Sequence, residues 1–94
     1  MPSWEEEAGA DLQRNIERYA QDDPFTAWRV YQEVLERAEI LDDQPRLGRP
    51  GRVAGTREFV VTGTPFILVY QAQDGGVRIL RVLHGARRWP ESER

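Results

Sequence analysis

The first stretch of the chain shows the apolar spacing of a helix. Between Glu5 and Gln21, apolar side chains recur every three or four residues, which places them on one helix face. These positions are Ala8, Leu12, Ile16 and Tyr19. The glutamates at 5–7 lie near the start of this stretch, where carboxylates interact favourably with the helix dipole. The pattern predicts a first helix over about residues 5–21.

A second helix is predicted almost directly after the first. Asp23-Pro24 is typical of an N-cap followed by proline at the first helical position. The apolar stripe behind it consists of Ala27, Tyr31, Val34, Leu35, Ala38 and Leu41. We therefore expect a helix over about residues 24–41, with Trp28 and Tyr31 packed between the helices and a sheet. A connection of two or three residues predicts an antiparallel helical hairpin.

The second half of the chain begins with a loop and continues with strands. Residues 42–56 hold too many breakers for a regular element, namely Pro45, Gly48, Pro50, Gly51 and Gly55. Three apolar runs rich in Val, Ile, Phe and Tyr follow and predict strands over about 57–62, 66–72 and 77–84. The connections between them are short, and the second contains an Asp-Gly turn signal, so we expect antiparallel hairpins.

These elements define a fold class. The middle run, Phe66 to Tyr70, is apolar on both faces and should therefore be the central strand. The sequence predicts an α+β fold, in which an N-terminal antiparallel helical hairpin packs on an antiparallel three- to four-stranded β-sheet. A chain of 94 residues has room for one core, so we assign a single domain to 1–94, with a C-terminal tail over 85–94.

Composition narrows the chemistry. The chain has no cysteine, which excludes disulfides, thiolate catalysis and cysteine-based metal sites. The longest apolar stretch, Pro65 to Tyr70, is far too short to span a membrane, and the N-terminus lacks the basic and apolar regions of a signal peptide. We therefore expect a cytoplasmic protein with no metal and no cofactor.

Charge is distributed unevenly along the chain. Residues 1–43 carry 12 acidic residues and 4 arginines, whereas residues 44–94 carry 4 acidic residues and 9 arginines. All 13 basic residues are arginine, which is explained either by GC-rich coding or by recognition of carboxylate and phosphate groups, for which the guanidinium fork is suited. The second half of the chain is the basic half.

Three segments in succession resemble a known family. After the helical hairpin come QPRLGRPGRVAGTREFVV at 44–61, TPFILVY at 64–70 and VRILRVLHGARRWP at 77–90. In this order and at these spacings they resemble the RelE/ParE toxin superfamily, and more closely its ParE-like branch. The resemblance implies two helices on an antiparallel sheet. It also implies the toxin of a type II toxin–antitoxin system, a class associated with plasmid stabilization.

Members of the superfamily usually begin with an additional strand that ends near a tryptophan. Here only four residues, up to Trp4, precede the first helix, so that strand is expected to be short or missing. If it is missing, the sheet has an unpaired edge strand, which favours pairing with another chain.

The resemblance implies a partner and a target. The toxin would form a hetero-oligomer with a cognate antitoxin, whose C-terminal segment wraps the toxin surface, and a basic sheet half would suit an acidic segment. The same fold serves two kinds of target. ParE-like toxins poison DNA gyrase without catalysis, and RelE-like toxins cleave ribosome-bound mRNA. A weakened toxin that acts mainly as an antitoxin-binding module is a third interpretation.

One position favours the gyrase target. Cleavage of RNA needs a base, a group that stabilises the charge developing on phosphate, and a proton donor. RelE-like ribonucleases resemble R-L-V-Y on the middle strand, and this chain has Ile67 where the arginine would stand. The low pI of 5.1 also argues against a ribosome-bound ribonuclease. We rank the gyrase inhibitor first and the ribonuclease second.

His84, the only histidine, is the candidate catalytic residue. An imidazole could act as a general acid or base near neutral pH. ParE-like members also resemble V-L-H at this point, which favours a structural histidine that anchors the strand end by hydrogen bonds. The sequence leaves open whether the protein is an enzyme.

The candidate target- or partner-binding residues lie along the basic half of the chain and are Arg57, Arg81, Arg87, Arg88 and Trp89. The arginines would contact antitoxin carboxylates or a nucleic-acid-bound target, and the tryptophan would anchor a partner. In the alternative interpretation the arginines form a solvated edge and the tryptophan covers the open end of the sheet.

The glycine-rich loop offers weaker candidates. Arg49 and Arg52 could cradle phosphate, but the loop has neither phosphate-loop spacing nor a following helix. We expect Glu58 to form a salt bridge nearby or to face solvent.

Overall fold

Two helices and five strands make up the part of the chain that the computed structural model describes, residues 1–85. In chain order they are β1 Ser3–Trp4, α1 Glu6–Asp22, α2 Pro24–Asp43, β2 Arg49–Pro50, β3 Arg57–Val60, β4 Phe66–Gln73 and β5 Gly76–His84.

A single residue, Asp23, separates the two helices and caps the second. Its carboxylate accepts hydrogen bonds from the Phe25 and Thr26 backbone N–H groups and from the Thr26 hydroxyl. These bonds, the one from the Thr26 hydroxyl foremost, lower the pKa of Asp23 below its ordinary value. Pro24 occupies the first turn, where its missing N–H leaves no bond unmade. The cap and the proline therefore fix where α1 ends and α2 begins.

The sheet has the strand order β1-β5-β4-β3-β2. The neighbours from β2 to β5 are antiparallel, while β1 runs parallel to β5 and pairs Trp4 with Ile79. The α+β class with two helices on one sheet is confirmed, and β4 is the central strand. The predicted number of three to four strands and the purely antiparallel pairing are corrected to five strands in a mixed sheet.

The two additional strands are the shortest ones. β1 has two residues, too few for a period of two to show in the sequence. β2, also of two residues, lies inside the stretch predicted as an irregular loop and pairs Arg49 with Glu58. Pro50 is compatible with a strand there because β2 is at the sheet edge, where a missing N–H costs no ladder bond.

The main core lies between the helices and one face of the sheet. It contains Ala8 and Leu12 from α1, four residues of α2, and the large side chains Phe66, Leu68, Tyr70 and Ile79 of the sheet. Tyr31 is partly buried against this core. Trp28 is not, and the prediction that it packs between helices and sheet is wrong, since its side chain is 60% exposed on α2.

The opposite face of the sheet carries a smaller apolar cluster of Ile67, Val69 and Leu83, with Leu80 packed against it. The pairing of β4 with β5 contains an irregularity at Val69 and Tyr70. Such an irregularity inserts an additional residue and changes the direction of the strand locally. It shifts the register so that Val69 pairs with Arg81 while Tyr70 pairs with Ile79.

Tyr70 anchors the loop that joins α2 to β3. Its hydroxyl donates to the Pro45 carbonyl (2.7 Å) and accepts from the Gly48 N–H (2.8 Å). Burial raises the pKa of Tyr70, and the hydrogen bond from Gly48 opposes that rise only in part. A Cβ at residue 48 would lie 2.6 Å from the hydroxyl and 2.9 Å from the Glu58 carbonyl oxygen. The loop therefore requires glycine at this position because the space is already filled.

Neither α1 nor α2 is both long enough and apolar enough to cross a membrane, and within residues 1–85 there is no other helix to consider.

Two glycine-to-alanine substitutions should have opposite effects on stability. Gly48→Ala should lower the free energy of unfolding by about 1–3 kcal/mol, because the new methyl group overpacks a filled site. Gly9→Ala, in α1 and with no atom within 4 Å of the added methyl, should raise it by about 0.5–1 kcal/mol, because alanine is the better helix former. Urea unfolding followed by circular dichroism measures both. Equal stability of Gly48→Ala and wild type would contradict this account of the loop.

Candidate functional site

The structure describes three of the predicted site residues, Arg57, Arg81 and His84. Arg87, Arg88 and Trp89 lie outside the described residues. Within β4, Tyr70 pairs with Arg57 and Phe66 pairs with His84. Four residues of strand span about 13 Å. His84 therefore lies beside the start of β4 and Arg57 beside its middle, on different neighbouring strands, and the two do not form one site.

Arg81 is bound to an acidic residue of α1. Its Nε donates to Oδ2 of Asp11 at 2.8 Å, and its Nη2 donates to Oδ1 at 3.1 Å. Asp11 is only 3% exposed, and Arg14 forms a third contact with its Oδ1 at 3.0 Å. Two-point binding of this kind fixes both side chains in direction as well as distance.

Asp11 also completes the edge of β5. Its Oδ2 accepts a hydrogen bond from the backbone N–H of Val82 at 2.9 Å. β1 pairs only with Arg78 and Ile79, so no residue of β1 is available to bond this N–H. Asp11 was not among the site residues predicted from the sequence. Its position next to Leu12, at the border of the apolar helix stripe, is the feature that could have indicated a buried acid, but charged residues are common at that border on solvated helices.

Arg57 has a structural contact of its own. Its Nη1 donates to the Gly48 carbonyl at 2.7 Å, and its side chain is partly buried. This bond joins β3 to the loop that Tyr70 also holds. The arginine thus contributes to the architecture of the loop.

Glu58, on β3, is the centre of a second buried ion-pair group. Its side chain is 1% exposed and binds Arg49 at 3.2 Å and Arg52 at 3.1 Å. The backbone N–H of Arg52 also donates to it at 2.9 Å. Burial alone would raise the pKa of Glu58, but the bonds from Arg52 and Arg49 outweigh that effect, and the pKa is lowered. Of the two expectations for Glu58, the salt bridge is the one observed.

His84 is exposed at the end of β5. Its ring lies edge-on to Phe66, with centroids 6.2 Å apart, and Tyr19 meets the same phenyl ring in the same manner at 6.1 Å. Within residues 1–85, no hydrogen bond to its ring nitrogens is found. The hydrogen-bonded anchoring that the sequence suggested is therefore not found among these residues, where the contact of the ring is edge-on packing against Phe66.

A polar cleft adjoins His84. Its walls are Arg14, Asn15 and Arg18 of α1 together with the histidine, and its volume is about 280 Å³. A neighbouring cleft of about 210 Å³ shares Asn15, Arg18 and His84 and adds Tyr19 and Asp22.

An apolar groove lies between the two helices near β1. It has a volume of about 480 Å³ and is lined mainly by Trp4, Leu12, Ile16, Tyr31 and Leu35. Gly9, Gln13 and Glu17 complete the lining. Grooves of this composition are typical of sites that accept the apolar face of a partner segment.

Several of the described polar side chains are bound within the fold. The carboxylates of Asp11 and Glu58 and the hydroxyl of Tyr70 are bound internally. His84 adjoins Arg14, Asn15 and Arg18 in one cleft, and Tyr19 and Asp22 in the neighbouring one. Within residues 1–85, no group of three or more potential metal ligands is found. The arrangement can bind partners and anions.

Comparison with known proteins relates the chain to toxins. A family model described as "ParE toxin of type II toxin-antitoxin system, parDE" matches residues 3–89. The candidate toxin Y4kP of Sinorhizobium fredii is 39% identical over 70 residues, which are 74% of this chain and 72% of that protein. Toxin RelE2 of Caulobacter vibrioides is 34% identical over 84 residues, which are 89% of this chain and 93% of that protein.

A solved structure agrees with these relatives. The chromosomal ParDE TA system from P. aeruginosa contains a chain that superposes with a TM-score of 0.77 at 27% sequence identity. The match covers 89% of this chain and 96% of that chain. The two chains therefore share their fold over nearly their full length.

Acid should destabilise the protein through its bound carboxylates. The pKa values of Glu58 and Asp42 are lowered in the folded state, Asp42 chiefly by the Met1 ammonium group. Their contribution is present at neutral pH and is lost as the pH falls below 4.5, the ordinary pKa of a glutamate. In urea unfolding from pH 7 downward, wild type should lose stability more steeply than Glu58→Gln, so that the two converge.

The exposed Glu36 provides the control. Glu36→Gln should follow the wild-type pH profile, since that side chain has no buried partner to lose. Parallel profiles of wild type and Glu58→Gln across the whole range would show that the Glu58 ion pairs contribute nothing to the pH dependence.

Proposed function

This chain belongs to the ParE toxin family of type II toxin–antitoxin systems, and from that membership we propose that it is a ParE-like toxin, which inhibits DNA gyrase without catalysis and is neutralised by a cognate antitoxin. The toxin acts in the cytoplasm, where gyrase and the antitoxin are found.

The proposal that the toxin acts without catalysis is supported by the polar side chains of the sheet that are bound within the fold. The position where RelE-like ribonucleases have an arginine is held by Ile67, which is 8% exposed and packs with Val69 and Leu83. The other polar groups of the sheet that could assist RNA cleavage are bound within the fold, and these are Glu58, Tyr70 and Arg81. His84 is open and shares its two clefts with Arg14, Arg18, Tyr19 and Asp22. We assign these side chains to binding and not to cleavage.

The helical groove supports the antitoxin part. Trp4, Ile16, Tyr31 and Leu35 are only partly buried, and with the buried Leu12 they line an apolar groove. We assign it to an amphipathic segment of the antitoxin that inserts apolar side chains between α1 and α2. The solved ParDE toxin–antitoxin system with the same fold supports a partner of this kind.

Further aromatic surface continues along α2. Phe25 and Trp28 are 75% and 60% exposed and lie one turn apart. Tyr31 and Leu35 follow at spacings of three and four residues, which keeps Trp28, Tyr31 and Leu35 on one helix face. Exposed aromatic residues in such a row are typical of interface hot spots. The segment 1–43 has a net charge of −8, so basic residues beside the apolar anchors of the antitoxin would speed association.

The arginine-bearing end of the chain remains our candidate for contact with the target. Arg87, Arg88 and Trp89 are proposed to bind the gyrase complex or the antitoxin, with His84 in a supporting and not a chemical role. Arg81 is assigned a supporting role, since its guanidinium binds Asp11.

Truncation of the groove should weaken antitoxin binding. Leu35→Ala should raise the dissociation constant of the antitoxin complex by about tenfold or more, because a buried leucine contact is worth about 1.5–3 kcal/mol. Ile40→Ala removes a similar side chain from the same helix outside the groove and should leave the constant unchanged. Titration calorimetry with the antitoxin encoded beside the toxin measures both. Equal losses in the two variants would place the antitoxin elsewhere.

A paired assay separates the two targets. Purified toxin should inhibit supercoiling by DNA gyrase and should leave ribosome-bound mRNA intact. Expression in cells should cause filamentation and DNA-damage signalling. Codon-phased cleavage of mRNA would overturn the gyrase proposal and favour the RelE-like ribonuclease, the function that the name of the relative RelE2 suggests.

A further inference from the structure

Each described residue that lines the cleft between α1 and the end of β5 carries at least one hydrogen-bond donor. Arg14, Asn15, Arg18 and His84 are its only described lining residues, and no carboxylate is among them. Arg14 and Arg18 are four residues apart on α1, which places their guanidinium groups on the same helix face. The geometry points to an anion site, and we propose that it binds a phosphate group of a nucleic-acid backbone.

The donors are held in place by bonds that leave most of their N–H groups available. Arg14 uses Nη2 to contact Asp11 at 3.0 Å, and Asn15 donates one amide hydrogen to the Asp11 carbonyl at 2.8 Å. Asp11 is itself fixed by Arg81 and Val82. An arginine has five N–H donors and an asparagine amide has two. Arg14 and Asn15 are therefore already in position before a ligand binds.

Arg18 and His84 complete the set. Arg18 is exposed and has no ion pair within residues 1–85. The imidazole of His84 is oriented by Phe66 through ring packing, and its nitrogens are not used for hydrogen bonds within the same residues. Both side chains can turn their N–H groups to the cleft without breaking a bond of the fold.

The number and arrangement of donors favour phosphate over carboxylate. A carboxylate has two oxygens, which lie in one plane with its carbon. Two guanidinium groups, an amide and an imidazole around one volume offer donors from several directions, which suits the tetrahedral oxygens of a phosphate. Asp22 lies in the neighbouring cleft together with Tyr19 and repels anions there.

The nucleic-acid source of the phosphate rests on the proposed function, because gyrase acts on DNA. The anion site itself does not rest on it. A toxin that places one cationic cleft on the DNA backbone beside the enzyme would gain affinity for the gyrase–DNA complex over free gyrase, without reading any base sequence.

The test uses the full chain and two arginine variants. Arg18→Gln removes one cation from the cleft. Arg37→Gln removes the same charge from α2, where Arg37 pairs with Glu33, and so controls for net charge. Nuclear magnetic resonance follows the Arg18 Nε–H and His84 ring signals during titration with inorganic phosphate, and fluorescence anisotropy measures binding of a short DNA duplex at several salt concentrations.

Phosphate should shift the Arg18 and His84 signals of wild type. Arg18→Gln should weaken duplex binding by about tenfold and reduce the slope of log affinity against log salt by about one, while Arg37→Gln should match wild type. Equal losses in both variants would mean that net charge alone binds DNA, and the proposal would fail. It would also fail if phosphate left both signals unmoved, or if a glutamate-rich peptide shifted them where phosphate did not.

The gyrase assay distinguishes this failure from failure of the proposed function. If wild type inhibits gyrase and Arg18→Gln inhibits equally well, the toxin assignment stands and the phosphate site plays no part in it. If wild type binds phosphate through Arg18 and leaves gyrase active, the anion site stands and the gyrase target is wrong.

Discussion

The position of α1 on the sheet depends on one buried carboxylate. Asp11 receives two bonds from Arg81 and one from the backbone N–H of Val82. The strand that would normally occupy this edge is two residues long and ends before that N–H. The Asp11 side chain therefore accepts the hydrogen bond that a neighbouring strand would otherwise accept. A charge so placed is costly without its partners, and losing one partner of a buried pair typically costs about 3–5 kcal/mol. The polar cleft depends on the same carboxylate and its backbone, because Arg14 and Asn15 both bond to Asp11.

Two other carboxylates act in the same way at other ends of the sheet. Asp42 accepts the backbone N–H of Val77 at the start of β5, and Glu58 accepts that of Arg52 beside β2. Each of the three acids also binds at least one cation. The sheet of this short chain thus ends in ion-pair groups where a larger domain would continue its hydrogen-bond ladder. Side-chain acceptors allow strands to stop abruptly without leaving buried N–H groups unbonded.

Local patterns were enough to predict the long elements. The helices and the strands β3 to β5 follow from apolar spacing, the Asp23 cap and the Asp-Gly turn, since each of these signals lies within a few residues of the structure that it determines. The strands β1 and β2 were beyond such reasoning because two residues contain no period. Their pairing depends on partners far along the chain, as when Trp4 meets Ile79. Trp28 shows a different limit of sequence-based prediction, because apolar character does not distinguish a helix face in the core from one that binds a partner.

The candidate site was predicted less well than the fold, for a related reason. Residue type identified Arg57 and Arg81 as cations but could not show that a carbonyl group and Asp11 bind them. Arg14 and Arg18 look like solvated helix residues until the sheet places His84 beside them. The groove, likewise, exists only once α1 and α2 are packed. Sites that are assembled from distant segments need the tertiary structure, whereas the family resemblance came from consecutive strings.

Gly9 has a consequence for how this protein can change over evolutionary time. It stands in the exposed part of α1, contacts nothing that a methyl group would disturb, and borders the apolar groove. Glycine there weakens the helix by about 0.5–1 kcal/mol relative to alanine, so stability alone gives no reason to keep it. A bare helix surface does allow another backbone to approach closely. The residue at position 9 should therefore be selected for its fit to the partner segment in the groove, and the two chains would co-evolve.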